Sequence, residues 1–313
     1  MKNMHIKINN RKHKTYNCFE EIFAAVGSHY DVDITVNFLT AFSFQYCKKK
    51  YDDLTLSNPC FLYWGKNEKI VSQYCILNYK FLDREEVKID EAIEKSINAF
   101  KPIGIAMDSF YLPWNKYHLQ ASMTHMFLIV GIEDENYVCS DPFLNEYNRL
   151  LKKEVLHDFC NHIIEFNIQK RFNEPTLQEI ISSLKIYLLQ NEKTHIDDLN
   201  RFAYDISFMK FTSADRIEYK DINKSSFFSR LTFIAWSRIN FKSALEYLSE
   251  KHETDIFKET INLLSDVSNR WEVVKSLVFK SFIADEALLK KVSSLLHDIA
   301  ADEAKIIDNI VNL

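Results

Sequence analysis

Glycine is scarce in this chain of 313 residues: there are four, Gly27, Gly65, Gly104 and Gly131. Neither of the common glycine-rich phosphate loops can be assembled from them, which removes most nucleotide-dependent chemistry. The six cysteines, Cys18, Cys47, Cys60, Cys75, Cys139 and Cys160, form no Cys-x-x-Cys pair. None lies near a histidine at zinc-finger spacing, so no metal site is expected. No apolar run approaches the roughly 20 residues that span a bilayer. Met1 to Lys14 is polar and basic and lacks the apolar core of a secretory signal. A cytoplasmic location with reduced cysteines is therefore expected. There is no excess of positive charge either: the net charge is −5 at pH 7, which argues against a general nucleic-acid binder.

What the chain does have is a change of periodicity. Phe19, Ile22, Phe23 and Val26 fall at helical spacing from Cys18, and Gly27 suits the residue after a helix end. A second helix is expected from Asp33 through Val36, Leu39, Phe42 and Phe44 to Lys48-Lys49-Lys50, whose charges suit a helix C-terminus. Residues 54–82 read as short strands and loops. Asp90 to Phe100 reads as a helix with Ala92, Ile93, Ile97 and Phe100 on one face, stopped by Pro102. Short apolar runs follow at 103–107, 126–130, 137–140 and 162–168, with a short helix near 153–159. Such runs suit interior strands of a sheet. From Thr176 onward nearly all the periodicity is helical. Trp271, Val274, Leu277 and Val278 mark one helix, and 286–313 the clearest one. Pro175 opens this half and no proline follows it. The expected fold is α+β, with one domain at 1–172 and a helical bundle at 173–313.

Three residues carry possible chemistry. Cys18 opens a helix, where unpaired backbone N–H groups and the positive dipole end favour a thiolate. Glu20 and Glu21 in the first turn work against that charge. Its plainer reading is a buried structural cysteine. His125 starts an apolar strand and is otherwise a satisfied edge residue. Asp141, ahead of Pro142, ends the next strand and is otherwise part of an ordinary turn. Taken together, a cysteine, a remote histidine and then an acid match nucleophile, base and orienting group in the order of papain-like enzymes. Cys139 is the next candidate nucleophile because it lies close to the histidine.

The stretch His125-Met126-Phe127-Leu128-Ile129-Val130-Gly131-Ile132-Glu133-Asp134, followed by Val138-Cys139-Ser140-Asp141-Pro142, resembles the histidine and aspartate boxes of papain-like peptidases that process bacteriocin leaders. Met107-Asp108-Ser109-Phe110-Tyr111-Leu112-Pro113-Trp114 more closely resembles the butirosin-biosynthesis protein H family. So does Trp271-Glu272-Val273-Val274 in the helical half. The resemblance implies a papain-like domain followed by a helical one. It implies acyl transfer in a secondary-metabolite pathway, from the phosphopantetheine thioester of an acyl carrier protein, through an acyl-Cys18, to a small amine. No other cofactor is implied. Asn17, Asp108, Tyr111 and Trp114 are expected to line the substrate site. The sequence departs from the papain pattern six residues before the cysteine. There a side-chain amide usually serves the oxyanion, and here Lys12 stands. Asn17 is adjacent to the cysteine instead, and the Cys18 backbone N–H is available. An acidic carrier needs a positive patch, for which Arg11-Lys12-His13-Lys14 and Lys48-Lys49-Lys50 qualify. Two other readings stay open: a cysteine peptidase or amidase using the same residues, and a non-catalytic papain-like binding protein. A homodimer also stays open.

Overall fold

The computed structural model describes residues 5–8, 12–47, 60–61, 77–168, 174–222, 225–284 and 286–313. The chain divides into two compact units. One comprises Met1–Ile34 with Cys75–Phe172, the other Thr35–Tyr74 with Asn173–Leu313. The segment beginning at Thr35 thus belongs with the helical half, although its sequence position suggests the first domain. Among the described residues no helix is long and apolar enough to cross a membrane.

The first unit begins with an arm anchored on the sheet. The Ile6 N–H donates to the Val130 carbonyl at 2.7 Å. That carbonyl falls at a register shift of its strand, where a bulge frees it from the ladder. Helix α1 spans Cys18–His29. Sequence spacing ends it at Val26, yet it runs one turn further. Gly27 lies inside it because the chain doubles back there: a Cβ at Gly27 would sit 2.7 Å from Ile34 Cγ2 and 2.8 Å from the Val32 carbonyl oxygen.

Strand β1 (Leu77–Asp83), helix α2 (Ile89–Asn98) and strands β2 (Ile103–Asp108), β3 (Thr124–Glu133), β4 (Asn136–Asp141) and β5 (Glu146–Lys152) follow, then helix α3 (Lys153–Phe159) and strand β6 (Cys160–Ile168). All the pairings in this six-stranded sheet are antiparallel, and its order is β1-β6-β2-β3-β4-β5. The apolar runs at 103–107 and 127–130 are its buried centre, with Met126 half-buried. Strand β5 is missing from the sequence reading because it is an edge strand with mostly exposed side chains and no apolar run. Phe100 is not on the core face of α2. It follows the helix end at a φ of 56° and is 60% exposed.

In the second unit the expected helix at 33–50 is a 3₁₀ turn, Thr35–Thr40, followed by extended chain to Tyr46-Cys47, which pairs with Cys60-Phe61. Phe42, Phe44 and Tyr46 are buried and the residues between them are not, which is the alternation of a strand. Lys48-Lys49-Lys50 lies outside the described residues. Helices α4 (Leu177–Ile206), α5 (Ser213–Glu218), α6 (Ser226–Lys251), α7 (Lys258–Ile283) and α8 (Leu288–Val311) make up the rest. No strand occurs among the described residues after 168.

The core of this unit holds a fully buried ion pair. Arg238 Nε and Nη2 donate to Glu303 Oε1 and Oε2, each at 2.8 Å. Trp271 Nε1 donates to the same carboxylate at 3.1 Å, and His195 Nε2 pairs with it. Burial pushes the Glu303 carboxyl up, but the Arg238 charge and His195 outweigh burial and hold it well below the usual range. The remaining Arg238 nitrogen, Nη1, donates to the Ser43 carbonyl at 3.0 Å. Phe42 stacks between His195 and Phe241. The extended segment is thereby tied to α4, α6, α7 and α8.

Removing one partner of a buried ion pair leaves the other charge uncompensated. Arg238→Met should therefore destabilise the chain by about 3–5 kcal/mol. A urea unfolding midpoint unchanged from wild type would show that this pair does not hold the bundle.

Candidate active site

Asn17 is the N-cap of α1. Its side-chain oxygen accepts from the Glu20 N–H at 3.0 Å, and Glu20 Oε2 accepts from the Asn17 N–H at 2.7 Å. This reciprocal capping box fixes where the helix starts. The Glu21 N–H closes on the Asn17 carbonyl at 2.9 Å. Cys18, the first helical residue, is left at the open end, half-buried, and no described hydrogen bond uses its N–H. The two acids that seemed to crowd Cys18 are both committed. Glu20 serves the cap. Glu21 is fully buried and accepts from the His13 backbone N–H at 2.6 Å, with His13 Nδ1 at 3.2 Å. The Tyr16 hydroxyl is pushed well up, first by burial and then by the charges of Glu20, Asp33 and Glu21.

His125 opens β3 opposite Met107 of β2. Asp141 ends β4, the neighbouring strand on the other side, just past Ser140, which stands opposite Leu128. His125 Nε2 lies 2.7 Å from Asp141 Oδ2. Asp141 has no exposed surface. Trp114 Nε1 donates to its Oδ2 at 3.0 Å and the Leu144 N–H to its Oδ1 at 3.2 Å. The Cys18 thiol lies near enough to act on the imidazole, so Cys18, His125 and Asp141 meet. With Nε2 taken by Asp141, Nδ1 is the nitrogen left for the thiol. Burial opposes charge on His125, but hydrogen bonds and charge interactions with Asp141 and Cys18 raise its pKa to about 10. The ring of Phe143 borders the imidazole, with centroids 5.9 Å apart.

The residues expected to line a substrate site have other engagements. Asn17 spends its side-chain oxygen on the cap. Asp108 accepts from the Phe110 and Met123 N–H groups at 2.9 and 3.2 Å and from the Ser122 hydroxyl, so it ties together the loop that leads into His125. Tyr111 stacks flat on Phe159. Trp114 holds Asp141 and meets Phe127 edge to face. A Trp N–H aimed at a buried acid is not visible as a motif. The loop composition around Pro113 gave no sign of it.

Of the basic cluster before Cys18, Arg11 lies outside the described residues and His13 is bound to Glu21. Lys12 and Lys14 are exposed. Cys139 and Cys160 are buried, and burial pushes both thiols up, Cys160 to about 11. Neither suits a nucleophile. No group of residues suited to a metal ion occurs among the described residues. A cleft of about 810 Å³ lies in the second unit, lined by Tyr46, Asp198, Arg201, Tyr204 and Asp205 among others. Its acids Asp198 and Asp205 already accept from Tyr46 and Arg201, and no cysteine–histidine pair lies among its lining residues. Chemistry therefore points to Cys18: a cysteine at an open helix end, an imidazole beside it and a buried carboxylate behind the imidazole can attack a carbonyl and move a proton.

No family model matches the chain, and no curated protein matches it.

A raised imidazole pKa has a testable sign. The charged form is held from below the ordinary value, 6.5, up to about 10, and its contribution to stability is lost as pH rises through about 10. The His125 ring proton should show no titration by NMR between roughly pH 5 and 9. Asp141→Asn removes the acceptor charge and should bring the titration down into that window. A wild-type ring titrating near 6.5 would mean that the carboxylate does not stabilise the imidazolium.

Proposed function

We propose that the chain is a cysteine-dependent acyltransferase with a papain-like first unit, acting in a secondary-metabolite pathway. The observation that carries the cysteine chemistry is the alignment of Cys18, His125 and Asp141 at the open end of α1. The choice of acyl transfer over proteolysis rests on the resemblance of Met107–Trp114 and Trp271–Val274 to the butirosin-biosynthesis protein H family. The donor is an acyl thioester on the phosphopantetheine of a carrier protein, and the acceptor is a small amine.

The Cys18 thiolate adds to the thioester carbonyl. As the tetrahedral species collapses, the carbon–sulfur bond to the phosphopantetheine breaks and the imidazolium gives its proton to the departing thiolate. His125 is then neutral, and Nδ1 accepts the proton of the incoming amine as nitrogen attacks the acyl-Cys18. The Cys18 sulfur leaves as thiolate beside a restored imidazolium, and an amide is released. Asp141 keeps the proton on Nε2 and stabilises the imidazolium in both halves. Trp114 and the Leu144 N–H keep Asp141 in place without neutralising it.

Intact-mass measurement after mixing with an acyl thioester tests the reading. The wild-type chain should gain one acyl group, mapped to Cys18. Cys18→Ala should gain none while keeping its fold, since alanine suits the first turn of a helix. Asp141→Asn should form the adduct more slowly, by up to about 10⁴-fold. Transfer on to an amine distinguishes a transferase; release of free acid alone would favour the hydrolase. An adduct in Cys18→Ala would move the nucleophile elsewhere.

A further inference from the structure

An acyl transfer at Cys18 makes a negative oxygen, and such an oxygen is ordinarily held by two donors. The Cys18 N–H at the open helix end is one. The second is not obvious. Asn17 has its side-chain oxygen turned into the first turn of α1. Trp114 Nε1 and His125 Nε2 are both on Asp141. Among the described residues around the site, the ammoniums of Lys12 and Lys14 and the buried Ser140 hydroxyl have no polar partner, and of these Lys12 is the one placed against the ring that borders His125.

The position of Lys12 is fixed from both sides. Its neighbour His13 is bound through backbone and ring to Glu21, one turn along the helix that Cys18 opens. The Lys12 ammonium itself lies 5.2 Å from the centroid of Phe143, the ring that borders His125. Lys12 therefore bridges the helix bearing Cys18 and the strand end bearing Asp141. No described carboxylate pairs with it. The nearby acids Glu20, Glu21 and Asp141 are occupied with the cap, His13 and His125. A free ammonium over an aromatic face is weakly held, by about 0.5–1 kcal/mol at an exposed site, so it can leave the ring for a stronger charge.

We infer that Lys12 is the second electrophile of the site: its ammonium, with the Cys18 N–H, holds the oxygen that becomes negative when Cys18 adds to the thioester carbonyl. The inference rests on the acyl-transfer reading above. In the ground state the carbonyl oxygen is neutral and the lysine stays near Phe143. As the oxygen gains charge, the ammonium gains an ion pair in a site partly closed to water. The assistance thus grows toward the transition state, and it belongs in the rate of acylation and not in ground-state binding.

The test is single-turnover acylation of Cys18 by an uncharged N-acetylcysteamine thioester, quenched and read by intact mass, beside alkylation of Cys18 by iodoacetamide. Alkylation forms no oxyanion and reports thiolate reactivity alone. Lys12→Met should slow acylation by about 10²–10³-fold and leave alkylation within about twofold. Lys12→Arg should recover part of the loss. Acylation of Lys12→Met at the wild-type rate overturns the inference and leaves the acyltransferase reading intact. That includes the case in which only a carrier-bound donor reacts more slowly, which would make Lys12 a docking charge. Equal losses in acylation and alkylation also overturn it, because Lys12 would then act on the thiolate. A wild-type chain that is alkylated at Cys18 yet never acylated removes the acyl-transfer reading and the inference with it.

Discussion

The Asp141 carboxylate is the constraint on which the site depends. It has no exposed surface, and a buried charge without partners is costly enough that it would neutralise instead. Here it has three: the imidazole of His125, the indole N–H of Trp114 and the backbone N–H of Leu144. Each partner brings a different piece of chain. His125 comes with the start of β3, Trp114 with the loop after β2, and Leu144 with the turn into β5. One acid therefore organises the ends of four neighbouring strands of the sheet. The loop carrying Trp114 is itself held by Asp108, a second acid that accepts from two backbone N–H groups and a hydroxyl. The site is built on acids that are each fully engaged.

The helix that Cys18 opens follows the same rule. Glu20 and Glu21 look from the sequence like charges that oppose a thiolate. In the fold, Glu20 closes the capping box and Glu21 is buried against the arm that precedes the helix. What the first turn leaves open is a helix end with its own N–H groups, whose partial positive charge favours an anion. The capping box also explains why Cys18, and not Asn17 or Phe19, stands at the end. The cap residue is fixed by the Asn-x-x-Glu spacing, and the cysteine is the next residue.

The parts legible in the sequence are those with local signals. Strands β2, β3, β4 and β6 were visible as apolar runs, and the last helix as a three-and-four repeat of Leu289, Val292, Leu296, Ile299, Ile306 and Ile310, all buried. Cys18, His125 and Asp141 were legible because each sits at an element boundary that local chemistry marks. Trp114 is expected from the sequence at the substrate site, but not as the donor to Asp141, since a side-chain donor reaching an acid 27 residues away leaves no periodic trace. Strand β5 was missed because an edge strand needs no apolar run. The segment at 41–47 was misread for a different reason. Phe42, Phe44 and Tyr46 alternate with polar residues, but Val36 and Leu39 just before them fit helical spacing, and the longer pattern prevailed. Nothing local shows that the Ser43 carbonyl is an acceptor for Arg238, almost two hundred residues away.

That last tie bears on how the two units can be separated. Thr35 onward leaves the first unit after α1 and has its buried partners in the bundle, so the chain enters the second unit, returns for the sheet and enters it again. Neither unit is a continuous stretch of sequence. A fragment ending at 172 would retain Phe38, Phe42 and Phe44 without the helices that cover them, and a fragment starting at 173 would leave Arg238 without its Ser43 acceptor. On the ribosome, the aromatic segment emerges well before Arg238, Trp271 and Glu303 are made. It must stay uncovered through the synthesis of the whole sheet, which makes it the stretch of this chain most in need of a chaperone.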